Sequence, residues 1–228
     1  MEKIVELSDI IVYREEMDKY KVTIERNPDK NTDIIYSYLL ERLQIDKDEN
    51  ISDEEYSVTI KTYSIKPFEK YLEEQNYRLE YDIVLKILQE YSKFILYLER
   101  KEKSIVLYGL EDLIVIDDST FLFINNENLF DLQKHQPTII DISVPLEITK
   151  FASPELQQQK SLPFSLDYRS GFFSLASVLT YCLFAETLLE KQEAEVEKLL
   201  EPIFHTKLYW FIKRCGERNS KRRVCLFV

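Results

Sequence analysis

The dominant hydrophobic period changes near Ile65, and that change restricts the folds open to the chain. From Met1 to about Ile65, apolar and polar residues alternate in "KIVEL", "DIIVYR", "KYKVTIER" and "YSVTIKTYSI". Alternation in segments rich in Val, Ile, Thr and Tyr predicts strands with one face on a core. Charged turns such as "REEMD" and "NPDKN" separate them. One helix interrupts: "TDIIYSYLLERLQ" puts Ile35, Leu39 and Leu43 on one face, with Thr32 as the expected cap. After a short hinge at Lys66 and Pro67 the apolar positions recur at steps of three and four. Ile83, Ile87, Tyr91, Phe94 and Leu98 predict a long amphipathic helix. "LIVID" and "FLFIN" flank "DDST" and predict a hairpin near 113–125, after which 126–150 reads as irregular connection and the remainder as helices. The stretch "GFFSLASVLTYCLF" is apolar on every side, which predicts a helix inside the core. Its unbroken run, Phe172 to Phe184, is 13 residues, short of the roughly 20 that a membrane helix needs. The expected class is therefore α+β, with a β-rich part plus one helix over 1–65 and a mainly helical part over 66–228.

Composition narrows the partners. A net charge of −11 opposes phosphate backbones and anionic lipid surfaces, so neither nucleic acid nor membrane is an expected partner. The one basic patch is terminal: Lys213, Arg214, Arg218, Lys221, Arg222 and Arg223 are read as helix-end cations, with Arg223 internally paired. Cys182, Cys215 and Cys225 are odd in number and form no C-x-x-C pair, which argues against a disulfide framework or structural zinc and for a reducing compartment. The opening "MEKIVELSDIIVY" is acidic and alternating, and it reads as strand rather than secretory signal. A cytoplasmic location follows as the expectation.

Three stretches in order carry a resemblance. "FASPEL" is similar to the A-P-E step of protein kinases, with Ser153, Pro154 and Glu155 in its three places. "FFSLASVLTYCLF" resembles that family's central D-x-W-S-L-G helix, and "FIKRCGERNSKRR" resembles its R-C-L-x-x-D-P-x-x-R, with Asn219, Ser220 and Arg223 at the last three fixed places. The resemblance implies a protein kinase-like two-lobed fold, with an antiparallel β-rich N-lobe carrying one helix and a larger helical C-lobe. It also implies a buried ion pair between Glu155 and Arg223, for which the planar fork of Arg suits a carboxylate. The style of the chain, rich in Lys, Ile and Tyr, is similar to that of kinase-like proteins of large DNA viruses, whose setting would be host cytoplasm or virion.

The phosphate-handling groups of the family are missing from the matching places. Phosphoryl transfer needs a backbone cradle, a Lys, a carboxylate base and metal ligands. No glycine precedes Gly109, so there is no Gly-rich loop. V-A-I-K is matched by Val22, Thr23, Ile24 and Glu25, an acid in place of the Lys. H-R-D-L falls on Leu107 to Leu110, which puts Gly109 at the base position, and a shortened loop brings Asp112 to the Asn position. D-F-G falls on Asn125, Asn126 and Glu127, and Asn125 is a poorer Mg²⁺ ligand than a carboxylate. The resemblance thus implies a pseudokinase, without catalytic residues, metal or cofactor and with ATP not expected to bind, that serves as a protein-binding or scaffold module. The alternatives are a divergent ATP-dependent protein kinase using Asp112 or Asp117, and a structural subunit of a larger assembly such as a virion.

Other patterns read as structural. "DKDENISDEE" starts like an EF-hand loop at Asp46, Asp48 and Asn50, but Ile51 replaces the sixth-position Gly and Ser57 the closing Glu, so it reads as a solvated acidic turn. His135 and His205 stand apart from any ligand spacing, and Ser174 lacks a G-x-S-x-G elbow. Trp210 is expected in the core. The tail "VCLFV" is apolar enough for burial or for a partner.

Overall fold

The alternating segments fold as strands and the three-and-four segments as helices, in a computed structural model that describes residues 1–7, 9–45, 54–133 and 139–224. Asp46 to Asp53 of the acidic turn, His135 and Cys225 to Val228 lie outside the described residues. The chain begins β1 (Glu2–Glu6), β2 (Ile10–Glu16), β3 (Lys19–Glu25), α1 (Thr32–Leu43), β4 (Glu55–Lys61) and β5 (Ile65–Pro67). It continues with α2 (Phe68–Glu74), α3 (Tyr81–Arg100), β6 (Lys103–Ile105), β7 (Leu113–Ile116), β8 (Thr120–Phe123), β9 (Leu129–Asp131) and β10 (Ile139–Ile142). Then come α4 (Pro154–Gln157), β11 (Phe164–Asp167), α5 (Ser170–Phe184), α6 (Glu193–Leu200) and α7 (Lys207–Cys215). With 40% helix and 24% strand, antiparallel strands first and helices later, the chain is α+β. It divides into two compact units, Met1–Tyr71 with Leu110–Leu129, and Leu72–Gly109 with Phe130 onward.

In the first unit β1 to β4 form an antiparallel sheet in sequence order. Register sets Val12 opposite Val22 and Val22 opposite Val58, one row of apolar side chains removed from water. Ile10, Ile24, Tyr20 and Ile60 extend that buried face. Helix α1 packs on β3 and β4 through the fully buried Ile35 and Leu39, and Tyr36 stacks on Tyr56 at 4.3 Å. Thr32 is not the cap. It is the first helical residue, and its hydroxyl turns back to the N–H (3.0 Å) and C=O (3.2 Å) of Asn27, while Asn31 precedes the helix in the left-handed region. Strands β5, β7 and β8 form a second sheet. Its hairpin turns on Asp117 and Asp118, at φ of 50° and 52°, the positive values that a tight hairpin of this hand requires. Asp117 Oδ1 also accepts the N–H groups of Tyr63 (3.1 Å) and Ser64 (2.9 Å), fixing the turn to the strand before it.

In the second unit α5 is the centre. Thirteen of its residues are buried, and α3 and α7 pack against it, as an all-apolar helix requires. Helix α3 buries Ile87, Tyr91, Phe94 and Leu98 along one stripe. A β10–β11 ladder sets Ile140 opposite Leu166 and closes a core with Val106, Leu107, Ala152 and Leu156. Trp210 departs from expectation: Leu208, Phe211, Ile212 and Cys215 share the inner face of α7, which leaves Trp210 on the outer one, 41% exposed.

Candidate functional site

The first unit holds a buried polar knot at the β1–β2 turn. Leu7 N–H donates to Ile10 O and Glu25 N–H to Asp9 O, both at 2.8 Å, so the sheet itself fixes Asp9, which is 5% exposed. Lys30 ends a 3₁₀ turn capped by Asn27, and its Nζ reaches Asp9 Oδ1 at 2.8 Å. Asn126, 3% exposed, donates from Nδ2 to Asp9 Oδ2 (3.1 Å) and to Lys30 O (2.9 Å). Both oxygens of a buried carboxylate are thereby met, as a buried charge demands. The hydrogen bond to Asp9 raises the Lys30 pKa, with partial desolvation opposing it. Asn126 Oδ1 has no hydrogen-bond partner among the described residues.

Asn125 and Asp112 are joined beside this knot. Asn125 Nδ2 donates to Asp112 Oδ1 at 2.7 Å, Asn125 Oδ1 accepts from Glu127 N–H at 2.9 Å, and Ile124 N–H donates to Asp112 O at 2.9 Å. The two residues are 5% and 1% exposed. Glu25 lies apart from them, exposed at the end of β3 opposite Glu55. With Asp9, Thr23, Arg26, Glu54 and Glu55 it lines a hollow of about 580 Å³ whose charge is mostly negative.

In the second unit α5 clamps the segment that carries Gly109. Gly171 comes so close that a Cβ there would lie 2.0 Å from Ile105 O. One turn on, Ser174 Oγ accepts from Tyr108 N–H at 2.8 Å and donates to Tyr108 O at 3.3 Å. The Tyr108 ring meets Tyr91 edge-on at 5.1 Å. Gly109 is buried and brings no side chain.

The same unit contains an ionic clasp. Ser153 caps α4 by accepting Leu156 N–H at 3.3 Å, and Pro154 occupies the first turn, where a missing N–H costs nothing. Glu155, in that turn, takes both terminal nitrogens of Arg223: Nη1 on Oε1, and Nη2 on Oε2 at 2.9 Å. Arg223 also donates to the carbonyls of Glu217 (2.6 Å), Arg169 (3.2 Å) and Arg218 (3.0 Å), and it lies 5.0 Å over the Phe173 ring. Other cations of the terminal patch are engaged as well: Lys213 pairs with Glu197 at 2.7 Å, and Arg218 donates to the carbonyls of Leu189 and Lys191.

The structure therefore brings Glu155 to Arg223 and Asp112 to Asn125, and leaves Glu25 in neither group. Sequence reasoning missed Asp9 and Lys30, and it met Asn126 only as the middle place of the D-F-G match. No motif spacing joins those three positions; only the fold does. Among the described residues no group of three or more His, Cys, Asp or Glu is placed to hold a metal ion, and no helix is long and apolar enough to cross a membrane. The chain matches no protein-family model, and no curated protein is significantly similar to it in sequence.

Proposed function

We propose that the chain is a non-catalytic, protein kinase-like module whose role is to bind another protein. The observation that carries this reading is the Asn125–Asp112 hydrogen bond. These residues stand where the resemblance puts the metal-binding Asp and Asn, and their polar groups engage each other and the local backbone instead of lying open to solvent. Glu25 adds to the argument, because a carboxylate beside Glu54 and Glu55 repels a triphosphate. The Glu155–Arg223 pair supports the kinase-like scaffold, since it joins the A-P-E-like step to the terminal Arg of the resemblance. A scaffold stripped of phosphate-handling groups retains surfaces, and binding is what surfaces do.

The test is thermal unfolding with and without Mg·ATP. A ligand present at 100 times its Kd adds about 2.7 kcal/mol, and a chain of this size gains roughly 2–4 °C in Tm per kcal/mol. The expected result is an unchanged Tm at millimolar Mg·ATP. A rise of several degrees would overturn the non-catalytic reading.

A further inference from the structure

We propose that the groove between α3 and α7 is a docking site for an amphipathic helix of a partner protein, apolar on the face that enters the groove and acidic along its edges. This deepens the protein-binding half of the proposed function, on which it rests, and uses nothing from the kinase-like half. Both helices pack on α5, and the groove they leave has a volume of about 490 Å³. Leu85, Leu88 and Leu96 of α3 and Trp210 and Phe211 of α7 line it. Leu88 and Phe211 are buried, whereas Leu96 is 46% and Trp210 41% exposed. The exposed Phe204 extends the apolar surface: its ring lies 3.9 Å from that of His205, which lies 6.1 Å from that of Trp210. An apolar surface of this kind, with a Trp and an Arg on it, has the make-up of an interface core.

Charge selects the occupant. The ionisable side chains that line the groove are Lys93, Lys207 and Arg214, with no acid among them, although acids outnumber bases 41 to 30 in the whole chain. Lys93 is engaged by Glu90 at 2.7 Å. Lys207 and Arg214 are exposed and reach no carboxylate among the described residues, and Arg214 lies over the Trp210 ring at 5.6 Å. Spaced i, i+3 and i+7, Lys207, Trp210 and Arg214 make one stripe of α7: cation, ring, cation. An apolar anchor flanked by carboxylates about two turns apart matches that stripe. The α3 wall from Leu85 to Leu96 rises about 16 Å at 1.5 Å per residue, room for about three turns of a partner helix, which would enter with apolar residues at i, i+3, i+4 and i+7. Other occupants fit worse. A second copy docked isologously would set the cationic stripe against itself. A flat anionic bilayer would leave a concave groove unfilled and would meet a chain of net charge −11.

Trp210, the protein's one tryptophan, reports on the groove. The probes are two stapled helical peptides of about three turns, free of Trp and with the same Leu face, one flanked by Glu and the other by Lys. With the full chain, the Glu peptide is expected to shift Trp210 emission to the blue and shield it from acrylamide, saturably. The Lys peptide is expected to bind at least about tenfold more weakly. Lys207→Glu/Arg214→Glu, at two exposed positions, should reverse that preference. Leu96→Asp should abolish binding of both peptides, with the far-UV circular dichroism unchanged in either variant. Equal binding of the two peptides, a preference that the charge reversal leaves in place, or no saturable shift overturns the proposal. So does a scattering mass of two chains that halves in Leu96→Asp, since the occupant is then a second copy. Binding to phosphatidylserine vesicles that is lost in Lys207→Glu/Arg214→Glu overturns it too, in favour of a lipid surface. No arm uses Mg·ATP, so a failure here leaves the non-catalytic reading to its own test.

Discussion

Arg223 is 1% exposed and makes five hydrogen bonds, one for each guanidinium N–H. Full satisfaction is what makes the site sensitive, since removing the carboxylate strands a buried charge. Glu155→Ala is expected to lose about 3–5 kcal/mol of stability, towards the lower figure because the Glu155 side chain is 24% exposed and water can enter. Urea unfolding of Glu155→Ala, Arg223→Met and the pair measures it. The double variant should cost less than the sum of the singles, and additivity would contradict a coupled pair. Lys30 gives a pH-dependent counterpart. Its folded pKa is raised above the ordinary 10.5, so its contribution is complete below pH 10.5 and is lost as pH climbs through the raised value. The stability gap between wild type and Lys30→Met should therefore be flat from neutral pH to about pH 9 and narrow in stronger alkali. Added salt should shrink it as well, the Lys30 side chain being 48% exposed.

Elements were legible where a period ran uninterrupted. The alternation in "KYKVTIE" is the buried face of β3, and the stripe Ile87, Tyr91, Phe94, Leu98 is the inner face of α3. Both follow from local geometry alone. The misreadings came from competing local bonds and from side-chain size. Thr32 looked like a cap by residue type, but its hydroxyl serves the preceding turn through Asn27. Trp210 looked like core because it is large and aromatic, whereas its position on α7 opposes Leu208 and Ile212. Gly171 shows an element packed to its limit. Gly171→Ala would drive a Cβ into the Ile105 carbonyl, 2.0 Å away, and backbone cannot give way as a flexible side chain can. A loss of about 3 kcal/mol is expected, read in urea as a lower midpoint at unchanged slope. A neutral result would mean that α5 can move off the Ile105–Gly109 segment.

Across the molecule, the α+β order could be read from the sequence because the change of period near Ile65 survives in the fold, antiparallel strands first and helices later. Ion-pair partners were reachable only through a motif that spaces them, as with Glu155 and Arg223. The Asp9–Lys30–Asn126 knot has no such spacing, and its members meet because a sheet turn, a 3₁₀ turn and the third residue after β8 converge in one unit. That convergence is tertiary information, carried by no local pattern.

The clasp also imposes an order on biosynthesis. Glu155 leaves the ribosome 68 residues ahead of Arg223, a delay of roughly 3–14 s at about 5–20 residues per second. The oily α5 is translated within that interval. For those seconds the nascent helical unit carries a carboxylate awaiting its guanidinium, and a chaperone has a defined window in which to shield it.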